Sequence, residues 1–321
     1  MPDSIYIVGS GTLKREQNTI ALRGKALPTP RYFPIESTSD IFIFGEVSMN
    51  SRLLKFLMDK GICVHLFSKY DRYLGSFLPV KPKVSAQAYI KQFEHFYSYG
   101  KRIAIAKSMQ VASVKSMRNF LRRHLKSKVV SEEDITKING YIEAMEGETS
   151  IEGLRSYEGL ARKLYFSKIA MLLEDYRFDG RVSYPPGDPI NAMLSYGYAV
   201  LYGTVLTAIY QSHLDARISF VHEPTFKSYA LQLDIADIFK TAVIDSLVIS
   251  LARKKQVKDS WFYTESGGTY LSPDGKREFL SHLYKKLSGT PKYKSLIKKE
   301  VLSLQKHVLG ESTYKAFVWK G

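Results

Sequence analysis

At 321 residues the chain has the length of about two domains, and its 45% hydrophobic content supports a substantial core. Its 47 Lys and Arg against 31 Asp and Glu leave a formal charge of +16, which favours nucleic acid as a partner over the alternative of a basic but otherwise ordinary enzyme. The single cysteine, Cys63, excludes an intrachain disulfide and a cysteine-rich zinc site, and points to a cytoplasmic location.

The first eighty or so residues read as mostly β, and the opening MPDSIYIVG has no signal-peptide pattern. SIYIVGSGTLKREQNTIALR alternates apolar and polar residues around Gly9-Ser10-Gly11, which reads as a hairpin turn. The same glycines lack the spacing and the following helix of a phosphate cradle. DIFIFGEV and GICVHLF are strand-like, with Cys63 read as core packing, and YLGSFLP is a further short apolar run. NSRLLKFLMDKG predicts a short helix capped by Asn50 and stopped by Gly61.

From about Val84 the hydrophobic period becomes helical. Residues 101–128 hold nine Lys or Arg and no acid. Like charges four apart on a helix repel, so a one-sided block calls for an anionic partner, and Arg118, Arg122 and Arg123 become candidate DNA contacts. A merely soluble face is the alternative. Helical patterns follow over 131–146 and 150–175. In the second, LRSYEGLARKLYF sets Glu158 on the face of Leu154, Ala161 and Tyr165, where a free carboxylate is costly to desolvate. An ion pair with Arg162 is the bland explanation. FDGRVSYPPGDP reads as a loop, after which Asp188 caps a helix over 189–212 that begins on Pro189.

The strand-like ISFVH ends on His222, and Glu223 reads as facing solvent. In the next helical pattern, 233–252, apolar residues lie nearly all round, yet Asp234 and Asp237 stand three apart on one side. Asp234 as N-cap with Asp237 set against the helix dipole is one explanation. A divalent cation, with His222 supplying a nitrogen, is the other. Asp245 reads as structural. Carboxylates with one imidazole suit Mg2+ or Mn2+ better than zinc. Helical patterns over 275–287 and 292–308 follow, and the segment 276–300, with eight bases against two glutamates, adds Lys285 and Lys286 as DNA candidates. No run reaches the ~20 apolar residues of a membrane span, so no membrane partner is expected. The architecture expected is α+β, a small N-terminal β domain (1–85) followed by a larger all-α catalytic domain (86–321).

Four stretches resemble the CRISPR-associated spacer-acquisition integrases, the "Cas-one" endonucleases: IFIFGEVSMNSRLLKFLMDKGICVHLFSKYDRYLGSF, YEGLARKLYF, PPGDPINAMLSYGYAVLYGTVLTAIYQSHLDARISFVHEP and LDIADIFKTAVIDSLVISL. Residue by residue, the resemblance implies that Glu158, His222 and Asp237 are metal ligands and that Asp234 supports them as part of the catalytic group. Many members carry glutamate where Asp237 stands and glycine where Ser219 stands; both differences leave an oxygen ligand and the histidine in place. Asn191, Tyr165 and Tyr202 fall in matching segments and are expected to line the site. The resemblance further implies Mg2+ or Mn2+ as cofactor, a homodimer paired through the β domains, and a small partner of ferredoxin-like fold. The implied substrates are double-stranded and branched DNA. The implied activity is cleavage of DNA and insertion of captured fragments at CRISPR repeat borders by 3′-hydroxyl attack. A non-catalytic basic DNA-binding scaffold remains the alternative, and a basic metallohydrolase of small phosphorylated substrates would need a deep pocket.

Overall fold

The computed structural model describes residues 3–24, 29–80, 85–224 and 229–321, with the strands gathered ahead of the helices as the hydrophobic periods predict. The N-terminal part consists of β1 (Asp3–Ile7), β2 (Gly11–Glu16), β3 (Thr19–Arg23), β4 (Arg31–Pro34), β5 (Thr38–Ile43), β6 (Val47–Ser48), α1 (Ser51–Asp59), β7 (Cys63–Phe67) and β8 (Tyr73–Phe77). One sheet has the order β1-β5-β7-β8, parallel except for β8, and the other the order β4-β3-β2-β6. α1 forms where predicted: the Asn50 side chain accepts from Leu53 N, and Gly61 ends the helix at φ 72°.

Gly9-Ser10-Gly11 is not a hairpin turn. β1 and β2 belong to different sheets, and the glycines carry the chain between them through a crowded crossing. A Cβ on Gly11 would lie 2.4 Å from the Arg23 carbonyl oxygen, and one on Gly45 2.2 Å from that of Gly9. The hairpin lies farther on, between β2 and β3, where Gln17 takes a left-handed φ of 53°.

β5 is buried along its whole length, as a strand covered on both faces must be. Ile41 and Ile43 join Ile7, Leu13, Ile20 and Leu57 in the core of the β part, whereas Phe42 and Phe44 belong to the core of the helical part. The two-residue period of one strand thereby joins the two cores.

The helical part comprises α2 (Ala86–Tyr97), α3 (Tyr99–Arg122), α4 (Glu132–Gly147), α5 (Ile151–Leu172), α6 (Pro189–Tyr210), α7 (Ala230–Lys240), α8 (Ser246–Arg253), α9 (Pro273–Ser288) and α10 (Tyr293–Val308). The predicted change of period at Val84 lies outside the described residues, and Ser85 caps α2. α7 and α8 form one rod interrupted by a π-helical turn, Thr241–Asp245. α6 is, by length and composition, apolar enough to cross a membrane, which corrects the sequence reading, but 89% of its most apolar window is buried inside the protein. It is the central core helix. Gly203 brings it onto the sheet, where a Cβ would meet the Phe42 ring at 2.6 Å. His65 bridges the two parts there, 2.8 Å from Thr207 Oγ1 and 2.6 Å from Ser76 Oγ; burial pushes its imidazole down to about 4, so the bridge is neutral.

The larger part is not all-α. β9 (Phe262–Glu265) and β10 (Gly268–Leu271) form a hairpin whose turn, Ser266-Gly267, has φ of 51° and 75°. Four-residue strands between two helices offer too short a period to stand out from the sequence.

The C-terminal tail is strapped along α3, with Ala316 N and Trp319 N donating to Ser108 and Ser116 and Asn119 donating to the Trp319 carbonyl. Buried Glu300 of α10 fastens the same tail, accepting from the Tyr314 hydroxyl and from Phe317 N at 3.1 Å. Burial pushes its carboxyl up to about 7, against the pull of those two donors. A folded-state value raised above the ordinary 4.5 means stability that is full below pH 4.5 and lost as pH rises through 7. The loss amounts to about 3 kcal/mol at most. Glu300→Gln is expected to flatten the decline between pH 5 and 8 in urea unfolding; an unchanged slope would place the titration elsewhere.

Candidate metal centre

Glu158, His222 and Asp237, far apart in sequence, line a single cleft of about 600 Å³. α5 brings Glu158 and Arg162, α6 brings Tyr198 and Tyr202, and α7 brings Asp237 and Lys240; the loops before α6 and α7 add Arg181 and His222.

His222 is placed by Asp234. ISFVH is not a strand but a loop whose amides close on one carboxylate. Asp234 Oδ2 accepts from Phe220 N at 2.7 Å and Val221 N at 3.0 Å, while Oδ1 accepts from His222 N at 3.0 Å and His222 Nδ1 at 2.7 Å. Those amides bond to a side chain rather than to a neighbouring strand. Asp234 is therefore not an N-cap: α7 already begins at Ala230, and Tyr229 caps it with no side-chain bond. The Nδ1–H bond fixes the ring and leaves Nε2 as the nitrogen for an ion, the usual outer support of a metal-bound histidine. The same bond raises the imidazole pKa, against burial, so protons compete with an ion for this ring at a higher pH than for an ordinary histidine.

The carboxylates are compensated from within their own helices. Glu158 accepts from Arg162, one turn on, with Nε at 2.7 Å, which is the bland pairing the sequence allowed. Asp237 Oδ1 lies 2.5 Å from Lys240 Nζ, and although burial would raise its pKa, Lys240 and Arg162 hold it below the ordinary value. As they stand, no three acidic, imidazole or thiol side chains among the described residues are close enough to hold an ion. The donor set nonetheless suits a hard divalent cation, and Asp237 Oδ1 is buried without an aligned hydrogen bond. Arg162 engages only Oε1 of Glu158, and drawing the three groups round an ion calls for a rotamer change in the cleft.

Of the other expected residues, Tyr202 lines the cleft, but Tyr165 and Asn191 do not. Tyr165 is fully buried with its hydroxyl on Asp245 Oδ2 at 3.2 Å. Asn191 is buried too; it accepts from Arg181 Nη1 at 3.1 Å and holds the loop that carries this arginine to the cleft. Neither can touch DNA. Asp245, at the end of the π-helical turn, is structural as read: buried, it accepts from Tyr198 at 2.5 Å as well. Arg118 spends its guanidinium on the side chains of Asn119 and Asn139, whereas Arg122, Arg123 and Lys285 are exposed and Lys286 half-buried. Glu223 is at the surface but paired, 2.7 Å from Arg102.

Sequence reasoning missed Lys240, Arg155 and Arg181. The cleft holds four cations (Arg155, Arg162, Arg181, Lys240) against three carboxylates (Glu152, Glu158, Asp237), a balance suited to phosphate beside an ion. The one signal was a lysine in an otherwise buried helix, three residues after Asp237.

The family model described as CRISPR associated protein Cas1 matches residues 5–285. The CRISPR-associated endonuclease Cas1 of Thermotoga maritima is 37% identical over 323 residues, 97% of this chain and 98% of that protein. A solved structure described as a CAS1 protein from Thermotoga maritima superposes with a TM-score of 0.88 at 36% identity, covering 98% of this chain and 100% of that one. A casposase bound to integration product shares the fold, with a TM-score of 0.86 at 18% identity over 98% of this chain and 92% of its own.

Proposed function

Because the chain belongs to the CRISPR-associated Cas1 family, we propose that it is a divalent-metal-dependent DNA endonuclease and strand-transferase. Its substrates are double-stranded and branched DNA, and it inserts captured fragments into a CRISPR array by attack of their 3′-hydroxyls on repeat-border phosphodiesters. The observation that carries this reading is the single cleft lined by Glu158, His222 and Asp237, with the imidazole oriented by Asp234.

Magnesium or manganese held by Glu158, His222 and Asp237 would polarise a phosphoryl oxygen and acidify the attacking hydroxyl. The chain's own groups do the rest. Asp234 keeps the His222 ring in place through Nδ1, so that Nε2 needs no reorientation. Arg155 and Arg181 bind phosphate oxygens at the cleft wall, and Asn191 and Ser195 hold Arg181 for that task. Lys240, buried against the Tyr198 and Tyr202 rings at 4.9 and 5.2 Å, offsets charge that builds on the phosphate. The resemblance supports a homodimer paired through the β domains and a small ferredoxin-like partner.

A second reading, a non-catalytic DNA scaffold, is favoured by the pairs Glu158–Arg162 and Asp237–Lys240, which already compensate both acids. Incubation of a branched duplex with manganese, and then with chelator, separates the two. Cleavage is expected with manganese only, and Glu158→Ala is expected to abolish it with duplex affinity nearly intact. Metal-independent product, or affinity lost together with activity, would favour the scaffold.

A further inference from the structure

A second hollow, of about 640 Å³, lies where α3, α8 and α9 end: Arg123, Arg253, Lys254 and Lys286 surround it above Phe120 and Trp319. No acid lines it, and among the described residues none of the four bases forms an ion pair. Arg123 comes from the basic segment 101–128 and Lys286 from the segment 276–300, so the fold joins the two one-sided charge blocks. Arg253 and Lys254 lie outside both.

Cations at helix C-termini have a simple explanation, since each terminus carries about half a negative charge. Three such ends offset only about one and a half of four full positive charges, so most of the excess has no partner in the protein. The buried rings of Phe120 and Trp319 form an apolar floor beneath these bases. Burial and Arg123 together depress the Lys286 pKa, as expected for bases crowded without a counter-ion.

The hollow is separate from the metal centre. Arg123 stands thirteen residues along α3 from cleft-lining Gln110, roughly 20 Å at the helical rise. Arg253 stands sixteen residues beyond Asp237, roughly 24 Å along the α7–α8 rod. A duplex reaching from one to the other would span about six base pairs.

We propose that this groove is a second DNA seat, binding backbone phosphodiesters of the strand away from the reacting cleft. It deepens the reading of the chain as a DNA enzyme and rests on that reading only for the nature of the polyanion. The test is the affinity of the full-length protein for a labelled duplex longer than this span, in chelator, between about 50 and 200 mM salt. Arg253→Ala/Lys254→Ala alters two exposed side chains outside the metal centre. Loss of two phosphate contacts is expected to lower the slope of log affinity against log salt by about 1.8 and the affinity by at least tenfold. Manganese-dependent turnover at saturating DNA is expected to stay at the parent level. Should the double variant melt early, Lys254→Glu alone is read instead, with a slope loss of about 0.9 or more expected. An unchanged slope in a folded variant overturns the proposal. So does saturation of the groove by a mononucleotide while duplex binding is unaffected by the substitutions, which would make it a small-ligand site. Binding is measured without metal, so failure of cleavage counts against the cleft alone.

Discussion

Asp234→Ala is expected to lower the unfolding free energy by about 3–5 kcal/mol and DNA cleavage by a further factor of about 10–100 at equal folded protein. Asp234 is 1% exposed, and its carboxylate accepts from all three main-chain amides of the turn at 220–222 and from one imidazole N–H. A buried donor left without an acceptor costs about 1–3 kcal/mol, and relaxation of the loop keeps the total below the sum of four. Cleavage falls because His222 is then free to rotate. Urea unfolding measures the first effect and initial rates on a branched duplex the second. A stability loss under about 1 kcal/mol would mean that the loop is held by other contacts.

Asp237→Asn is expected to remove manganese binding and to cut cleavage by at least about a thousandfold, while also destabilising the fold by about 3 kcal/mol. The two effects have different origins. Lys240 is buried against Asp237, and removing the carboxylate strands an ammonium in the protein interior. Replacing both partners by neutral groups of similar shape is expected to restore most of the stability, since a buried pair is worth little more than an apolar pair. Asp237→Asn/Lys240→Met should therefore fold nearly as well as the parent and remain inactive. A double-mutant cycle on unfolding and on cleavage separates the contributions. Activity regained with the stability would show Asp237 to be a counter-ion for Lys240 and nothing more.

The order of strands and helices was legible because it rests on local hydrophobic periods, and the acids of the cleft were legible because they sit on faces that should be apolar. What stayed hidden depends on partners distant in sequence. ISFVH has the alternation of a strand, and only Asp234, twelve residues beyond His222, explains why its amides turn to a side chain. Gly9 and Gly11 read as a turn because close approach of β3 and Gly45 cannot be seen from the glycines themselves. Asn191 and Tyr165 sit in segments that match the family, yet burial assigns them to holding Arg181 and Asp245. Arg181 and Lys240 drew no assignment from the sequence, because only the fold brings them to the carboxylates.

Diffraction at the manganese absorption edge from crystals soaked in Mn2+ examines the ligand set without any activity assay. The expected result is one anomalous peak with His222 Nε2, an Asp237 oxygen and a Glu158 oxygen each about 2.1 Å away, and with Glu158 rotated off Arg162. Crystals in which Glu158–Arg162 and Asp237–Lys240 persist at saturating manganese, with no ion between them, would leave a positively charged DNA holder and no catalytic centre.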